Sequence, residues 1–444
     1  IPLFKVVLFL MGAQSTFFGP LKYAIIPDHL NESELIGGNA LVESGTFLAI
    51  LIGTILGGLL PDAGLIVVSI MVILFAIAGF FTARQIPATE PKVPDLVINK
   101  NFLGGTFSLM KEVYKREVLY LSIMGISWFW FLGATYLAQF PNYVKLVLNA
   151  NTEVFTFLLA TFSLGVGLGS MLCNRLSNGA ITARFVPVAA IFMALFGVDL
   201  YFTSVGFENI SGTQFDLMSF ITAVGSWRIL VDILGIAVAG GIYIVPLYTI
   251  LQSRSPNHLR ARMIAANNVM NSLFMVGSAI LSVGLLMLDF TIHGIFLVVS
   301  IMSIVAAAYI TRLLPQDLIQ SIARTILRLF YRVEMKGIEN YHKVSNKAVI
   351  IANHTSFLDG LLISAFLPHQ LTFAINTHIA NKWWVRPAFA LFDLLTIDPT
   401  NPMSTKSLVK EVRKGKRIVI VPEGRLTVTG ALMKVYEGPG MIAN

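Results

Sequence analysis

The chain is 444 residues long, 55% hydrophobic and only 13% charged, with a mean hydropathy of +0.75. Soluble domains carry roughly 25% charged residues, so this composition excludes an ordinary cytosolic protein and points to repeated membrane spans. The formal charge of +8 does not require nucleic acid as a partner, because Lys/Arg-rich loops on the inner side of a membrane give the same excess, and the single cysteine, Cys173, excludes an intrachain disulfide.

A helix crossing about 30 Å of hydrocarbon needs roughly 20 predominantly apolar residues. Nine runs meet that measure, centred in 3–26, 38–60, 63–83, 118–140, 153–173, 185–203, 219–250, 264–288 and 291–311. The seventh is too long for one level span and is expected as one extended or tilted helix. The linkers alternate in charge. The segment 82–117 holds Arg84, Lys92, Lys100, Lys111, Lys115 and Arg116; 173–184 holds Arg175 and Arg184; 251–262 holds Arg254, Arg260 and Arg262. The linkers 61–64 and 201–216 hold no Lys or Arg. The positive-inside rule therefore places the basic linkers, and everything after Arg312, in the cytoplasm. Nine crossings put Ile1 outside, and an initial Ile in place of Met reads as a piece of a longer protein.

Within the spans, Arg228 and Asp232 are four residues apart and share one helix face. An isolated charge in the membrane is expensive, so the two are expected to pair or to face a cavity, as a structural lock or as part of a substrate or proton path. Glu43, one turn inside a span, has the same two readings. Lys22 near a helix end either snorkels to the interface or contributes to function. The glycine-rich runs 53–58 and 163–170 are expected to allow close helix packing.

Composition changes after Arg312. The segment 315–337 spaces Leu318, Ile319, Ile322, Ile326 and Leu327 near helical period, with Arg324, Arg328 and Arg332 on another side. It is expected as an interfacial helix on an anionic leaflet, or as a helix buried against its own domain. Beyond it, strand-like runs at 347–353, 371–376, 394–398 and 416–422 alternate with helical runs at 356–367, 381–392 and 403–415, the order of an α/β layer with a largely parallel sheet. Ligands in such sheets gather beyond the carboxyl ends of the strands. His354 and Glu423 each follow a strand. Asp359 lies on the turn after His354, where a carboxylate can fix the imidazole tautomer and support a proton taken from a hydroxyl. A lone His–x4–Asp pair is also a common structural accident. A metal is a poor rival, since no neighbouring cluster completes a ligand set. Gly424 permits a tight turn after Glu423, and Arg425 has the forked donors that suit a phosphate.

The two materials also resemble known families. Three spans, a long basic segment and six further spans are similar to a major facilitator bundle carrying nine of its twelve spans. The strings "FLMGAQSTFFGPLKYAIIP" (9–27) and "GGNALVESGTFLAILIGTILGG" (37–58) resemble the lysophospholipid transporters of that class. "NHTSFLDG" and "VPEGRLTVTG" resemble the first and third blocks of glycerolipid acyltransferases. The longer string 391–438 resembles the bifunctional acyl-carrier-protein synthetase/2-acylglycerophosphoethanolamine acyltransferases. This resemblance implies that His354 and Asp359 form the catalytic pair and that Glu423, Gly424 and Arg425 hold the acceptor and its phosphate. Arg425 stands one place earlier than in the commonest third block, as it does in that bifunctional subfamily, and Asp398–Pro399 occupies the place of an acceptor-binding arginine.

The expected fold is thus a multi-pass helical bundle followed by a partial α/β acyltransferase domain. Its segments are 1–84, a linker 85–117, a six-span half 118–312, a connector 313–337 and the α/β domain 338–444. The implied function is lysophospholipid import with reacylation in a bacterial inner membrane, 2-acylglycerophosphoethanolamine being one acceptor. The donor is an acyl-carrier-protein or CoA thioester, with no bound cofactor. Two alternatives stay open: a transporter with a non-catalytic lipid-binding tail, and acylation of a glycerol-3-phosphate-type acceptor.

Overall fold

The apolar runs fold as helices, the element that satisfies every backbone polar group without water. They are α1 (Pro2–Ala24), α2 (Leu35–Leu59), α3 (Leu65–Ala83), α5 (Glu117–Asn142), α6 (Thr152–Ser177), α7 (Val186–Val205), α8 (Ser226–Arg254), α9 (Arg260–Met287) and α10 (Ile292–Ile310), and a shorter helix, α4 (Phe102–Tyr114), forms within the basic linker. The structure, a computed structural model, describes residues 2–89, 101–177, 179, 181–207, 214–310, 323–324, 326–344, 348–356, 358–367, 371–382, 393–398, 403–424, 426–427, 440 and 442. Two units result, Ile1–Leu313 and Leu314–Asn444.

Among the described residues eight helices are long and apolar enough to cross a membrane, against the nine expected. The expected run at 3–26 is the 23-residue helix α1, which is not among those eight. The long seventh run is not one helix. It divides into a short helix, Leu217–Thr222, and the 29-residue α8, with Gly225 between them at φ +91°. Side chains rarely adopt that backbone conformation, so the break is set by glycine.

Helix α8 is the pillar of the first unit. It packs on α5, α6 and α7, and α2 packs on α6 and α8. Lipid offers apolar side chains no hydrophobic drive to associate, so close packing of small residues must hold such helices together. A β-carbon at Gly169 of α6 would collide with the Val238 carbonyl, and one at Gly241 of α8 with the Val166 carbonyl. The 163–170 run therefore packs as expected. Gly53, Gly57 and Gly58 do not: each has open space where a β-carbon would stand. Helix α3, the most apolar span, has none of its residues buried in the unit.

The second unit is a four-stranded parallel sheet, β1 (Ala348–Ile351), β2 (Leu371–Asn376), β3 (Asp393–Ile397) and β4 (Arg417–Ile420), in the order β1-β4-β2-β3. Helices α11 (Leu358–Phe366) and α12 (Met403–Arg413) lie between strands in the chain, as parallel connections require. Strand β4 is buried throughout and enters between β1 and β2. Its apolar residues Ile418 and Ile420 pack with Leu408 and Ile442. The expected helix over 381–392 falls largely outside the described residues.

The described part of the connector packs one side on its own domain. Ala323 and Leu327 bury against Ala365 and Phe366 of the same unit. Arg324 and Arg328 lie over the Phe366 ring, and Arg324 donates to the Ala365 carbonyl at 2.7 Å. Two of the three arginines thus cover their own domain, while Ile326, Leu329 and Phe330 stay exposed.

Candidate functional site

The sheet order creates the site. Ile351, the last residue of β1, is in register with Ile420, the last of β4. The two loops that leave these strands therefore emerge side by side, although His354 and Glu423 are far apart in sequence. The Thr427 amide donates to the His354 carbonyl at 2.8 Å and ties the second loop to the first.

On the first loop, His354 and Asp359 meet. His354 Nδ1 lies 3.1 Å from Asp359 Oδ2, with both side chains mostly buried. The same oxygen accepts from the backbone amides of Thr355 and Ser356, each at 2.8 Å, and Thr355 Oγ1 reaches Oδ1 at 3.3 Å. The turn is a local product of sequence: an aspartate placed at the entry of α11 captures the amides that precede the helix. Burial raises the Asp359 carboxyl; the bonds from the Ser356 amide, the His354 ring and Thr355 together outweigh it and hold the group below its ordinary range. A charged Asp359 fixes the proton of His354 on Nδ1, which places the basic lone pair on Nε2.

On the second loop, Gly424 takes φ +66°, so the turn after β4 admits little but glycine. Glu423 is buried at 3% exposure, and neither carboxylate oxygen has a hydrogen-bond partner among the described residues. Such a group is expensive unless something donates to it. Arg425 lies outside the described residues. Among the described residues no group of three His, Cys, Asp or Glu side chains is placed to hold a metal.

The bundle places its charged residues differently from expectation. Arg228 does not pair with Asp232. It forms an ion pair with Asp199 of α7, which the sequence reading passed over. Asp232 is buried and accepts from Thr203 Oγ1 at 3.4 Å. Shared helix face brought the two near, but the neighbouring helix supplied the closer carboxylate. Glu43 is fully buried, and its Oε1 accepts from the Tyr23 hydroxyl at 2.5 Å. Around it stand Tyr248, Trp130 and Asn267, which sequence reading missed; "AANNVMN" in α9, a polar patch in an apolar run, was the signal for the last.

Comparison with known proteins assigns both units. Residues 1–279 match the family model of the Major Facilitator Superfamily, and residues 332–444 the Acyltransferase model. The lysophospholipid transporter LplT of Serratia proteamaculans (strain 568) is 27% identical over 259 residues, which is 57% of this chain and 58% of the relative. LplT of Klebsiella pneumoniae (strain 342) is 28% identical over 257 residues, 57% and 59% of the two chains. LplT of Escherichia coli O157:H7 is 26% identical over 259 residues, again 57% and 59%. The chain thus spans under two thirds of the length of these curated relatives. No solved structure matches it.

Proposed function

This chain belongs to the Major Facilitator Superfamily and carries an acyltransferase-family domain, and from that premise we propose that it imports a lysophospholipid and reacylates it. The bundle, α1–α3 before the basic linker and α5–α10 after it, provides the passage. The α/β unit stands on the cytoplasmic side, where acyl thioesters are available, and the exposed Ile326, Leu329 and Phe330 rest in the leaflet. The names of the relatives carry the choice of lysophospholipid.

The observation that carries the acyl-transfer reading is the 3.1 Å His354–Asp359 contact on the loop beside the Glu423 loop. His354 Nε2 takes the proton of the lysolipid's free hydroxyl as its oxygen attacks the thioester carbonyl. Asp359 stabilises the imidazolium that forms. The tetrahedral intermediate collapses, the C–S bond breaks, and the imidazolium returns the proton to the departing thiolate. The products are a diacyl phospholipid and a free thiol. Glu423 accepts hydrogen bonds from the acceptor, and Gly424 and Arg425 serve to hold its phosphate. A thioester of acyl-carrier protein or CoA serves as donor.

The test is acyl incorporation from a labelled thioester into lysophospholipid by the whole chain in membranes. His354→Ala should abolish incorporation and leave lysolipid uptake intact. Acylation at the parent rate in that variant would refute His354 as the base.

A further inference from the structure

Five helices bring polar side chains to one buried place in the bundle. Glu43 (α2) and Asn267 (α9) are both fully buried. Among the described residues Glu43 Oε2 has no hydrogen-bond partner, and neither do Asn267 Oδ1 and Nδ2. Tyr248 (α8) borders both. Its ring stacks on Tyr23 (α1) with centroids 4.2 Å apart, and its hydroxyl accepts from Trp130 Nε1 (α5) at 3.1 Å. Lys22 (α1) donates to Thr46 Oγ1 at 3.0 Å and lies 4.6 Å from the centroid of the Tyr23 ring.

One helical turn away the same helices behave otherwise. Asn39 Nδ2 donates to Gln252 Oε1 at 2.6 Å, and Gln252 Nε2 donates back to Asn39 Oδ1 at 3.0 Å. That pair is closed on itself. The Glu43–Asn267 place is not, and in a low-dielectric interior an unmatched carboxylate oxygen and amide demand a donor-rich, positive guest.

Resting on the transport reading above, we infer that this place receives the headgroup of a zwitterionic lysophospholipid, with Glu43 taking a primary ammonium and Lys22 the phosphate. An ammonium offers three N–H donors, enough for Glu43 Oε2 and Asn267 Oδ1 together. Lys22 is a point charge, the form in which lysine binds phosphate. A headgroup of glycerol, which has no cation, leaves Glu43 unmatched. Glu43 thereby decides specificity between headgroups, and Lys22 contributes affinity to all of them.

The experiment measures binding of two lysolipids with the same tail, lysophosphatidylethanolamine and lysophosphatidylglycerol, to the whole chain in nanodiscs. Glu43→Gln should weaken the ethanolamine lipid about tenfold or more and leave the glycerol lipid within about twofold. Lys22→Met should weaken both to a similar degree. Water-soluble glycerophosphoethanolamine should compete only at far higher concentration; equal potency would make the ligand a free phosphoethanolamine and overturn the lipid assignment. Equal loss of both lipids in Glu43→Gln, or loss of neither, would also overturn it, the first pointing to a coupling cation or a structural carboxylate. If Glu43→Gln fails to elute as a folded protein, Asn267→Ala supplies the same selective test. A parent chain that binds neither lysolipid refutes the transport reading itself, an outcome separate from those above.

Discussion

Replacing Asp359 by asparagine separates what this carboxylate does for the turn from what it does for the imidazole. The side chains are the same size. The amide oxygen of the substituted side chain can occupy the Oδ2 position and keep the bonds from the Thr355 and Ser356 amides, each 2.8 Å in the parent. Those bonds change from charge-assisted to neutral, a loss of about 1 kcal/mol in total for a partly exposed loop. The fold should persist. The chemistry should not, because a neutral amide no longer offsets the imidazolium formed when His354 takes the hydroxyl proton, and the amide's NH2 group can hold the wrong tautomer in place. A positioned base contributes about 10²–10⁴ in rate, so turnover should fall by about that factor, corresponding to roughly 3–5 kcal/mol of transition-state stabilisation. The acceptor KM should change little, because Asp359 acts through His354 and does not touch the lipid. The assay is thiol release from an acyl thioester at saturating lysolipid, with uptake measured in the same membranes. Turnover within threefold of the parent would refute the assignment of Asp359 as the residue that positions His354.

The low-lying Asp359 carboxyl also fixes a pH dependence. Its contribution to stability is present above about pH 4, the ordinary aspartate value, and is lost as pH falls through the depressed folded value, so the melting-temperature gap between parent and Asp359→Asn should close on acidification. A gap that widens toward acid would reverse the sign and refute the hydrogen-bond account. In the bundle, Gly169→Leu or Gly241→Leu should separate α6 from α8, because each would drive a side chain into a backbone carbonyl, and size-exclusion chromatography should show loss of the monodisperse protein. Arg228→Ala should impair uptake by leaving Asp199 and Asp232 unbalanced, and a second change, Asp199→Asn, should restore part of it; no rescue would mean that Arg228 acts elsewhere. For orientation, a cysteine at Ala63 should react with an impermeant maleimide added outside cells and one at Ala88 should not, with the buried Cys173 giving little background.

Much of this protein was written locally and could be read locally. Apolar length alone fixes a membrane helix, because lipid forbids unpaired backbone over some 20 residues, and the spans at 153–173, 185–203 and 291–311 appear within a few residues as α6, α7 and α10. The strands were equally legible as short apolar runs, and the His354–Asp359 turn because its partners sit within five residues of one another. Where a contact runs between elements distant in sequence, the sequence was silent. Nothing in it orders the strands β1-β4-β2-β3, so only the sheet reveals that Glu423 stands beside His354. Helical spacing set Arg228 near Asp232, but the packing of α7 on α8 gave the guanidinium to Asp199. The place around Glu43 is the extreme case: Glu43 and Lys22 stand out in the sequence, but Tyr23, Trp130, Tyr248 and Asn267, which come from four helices, do not. A lone polar residue in a span can be recognised by its desolvation penalty; which residues will share that penalty, and which will be left open for a guest, depends on interhelical register that only the folded chain decides.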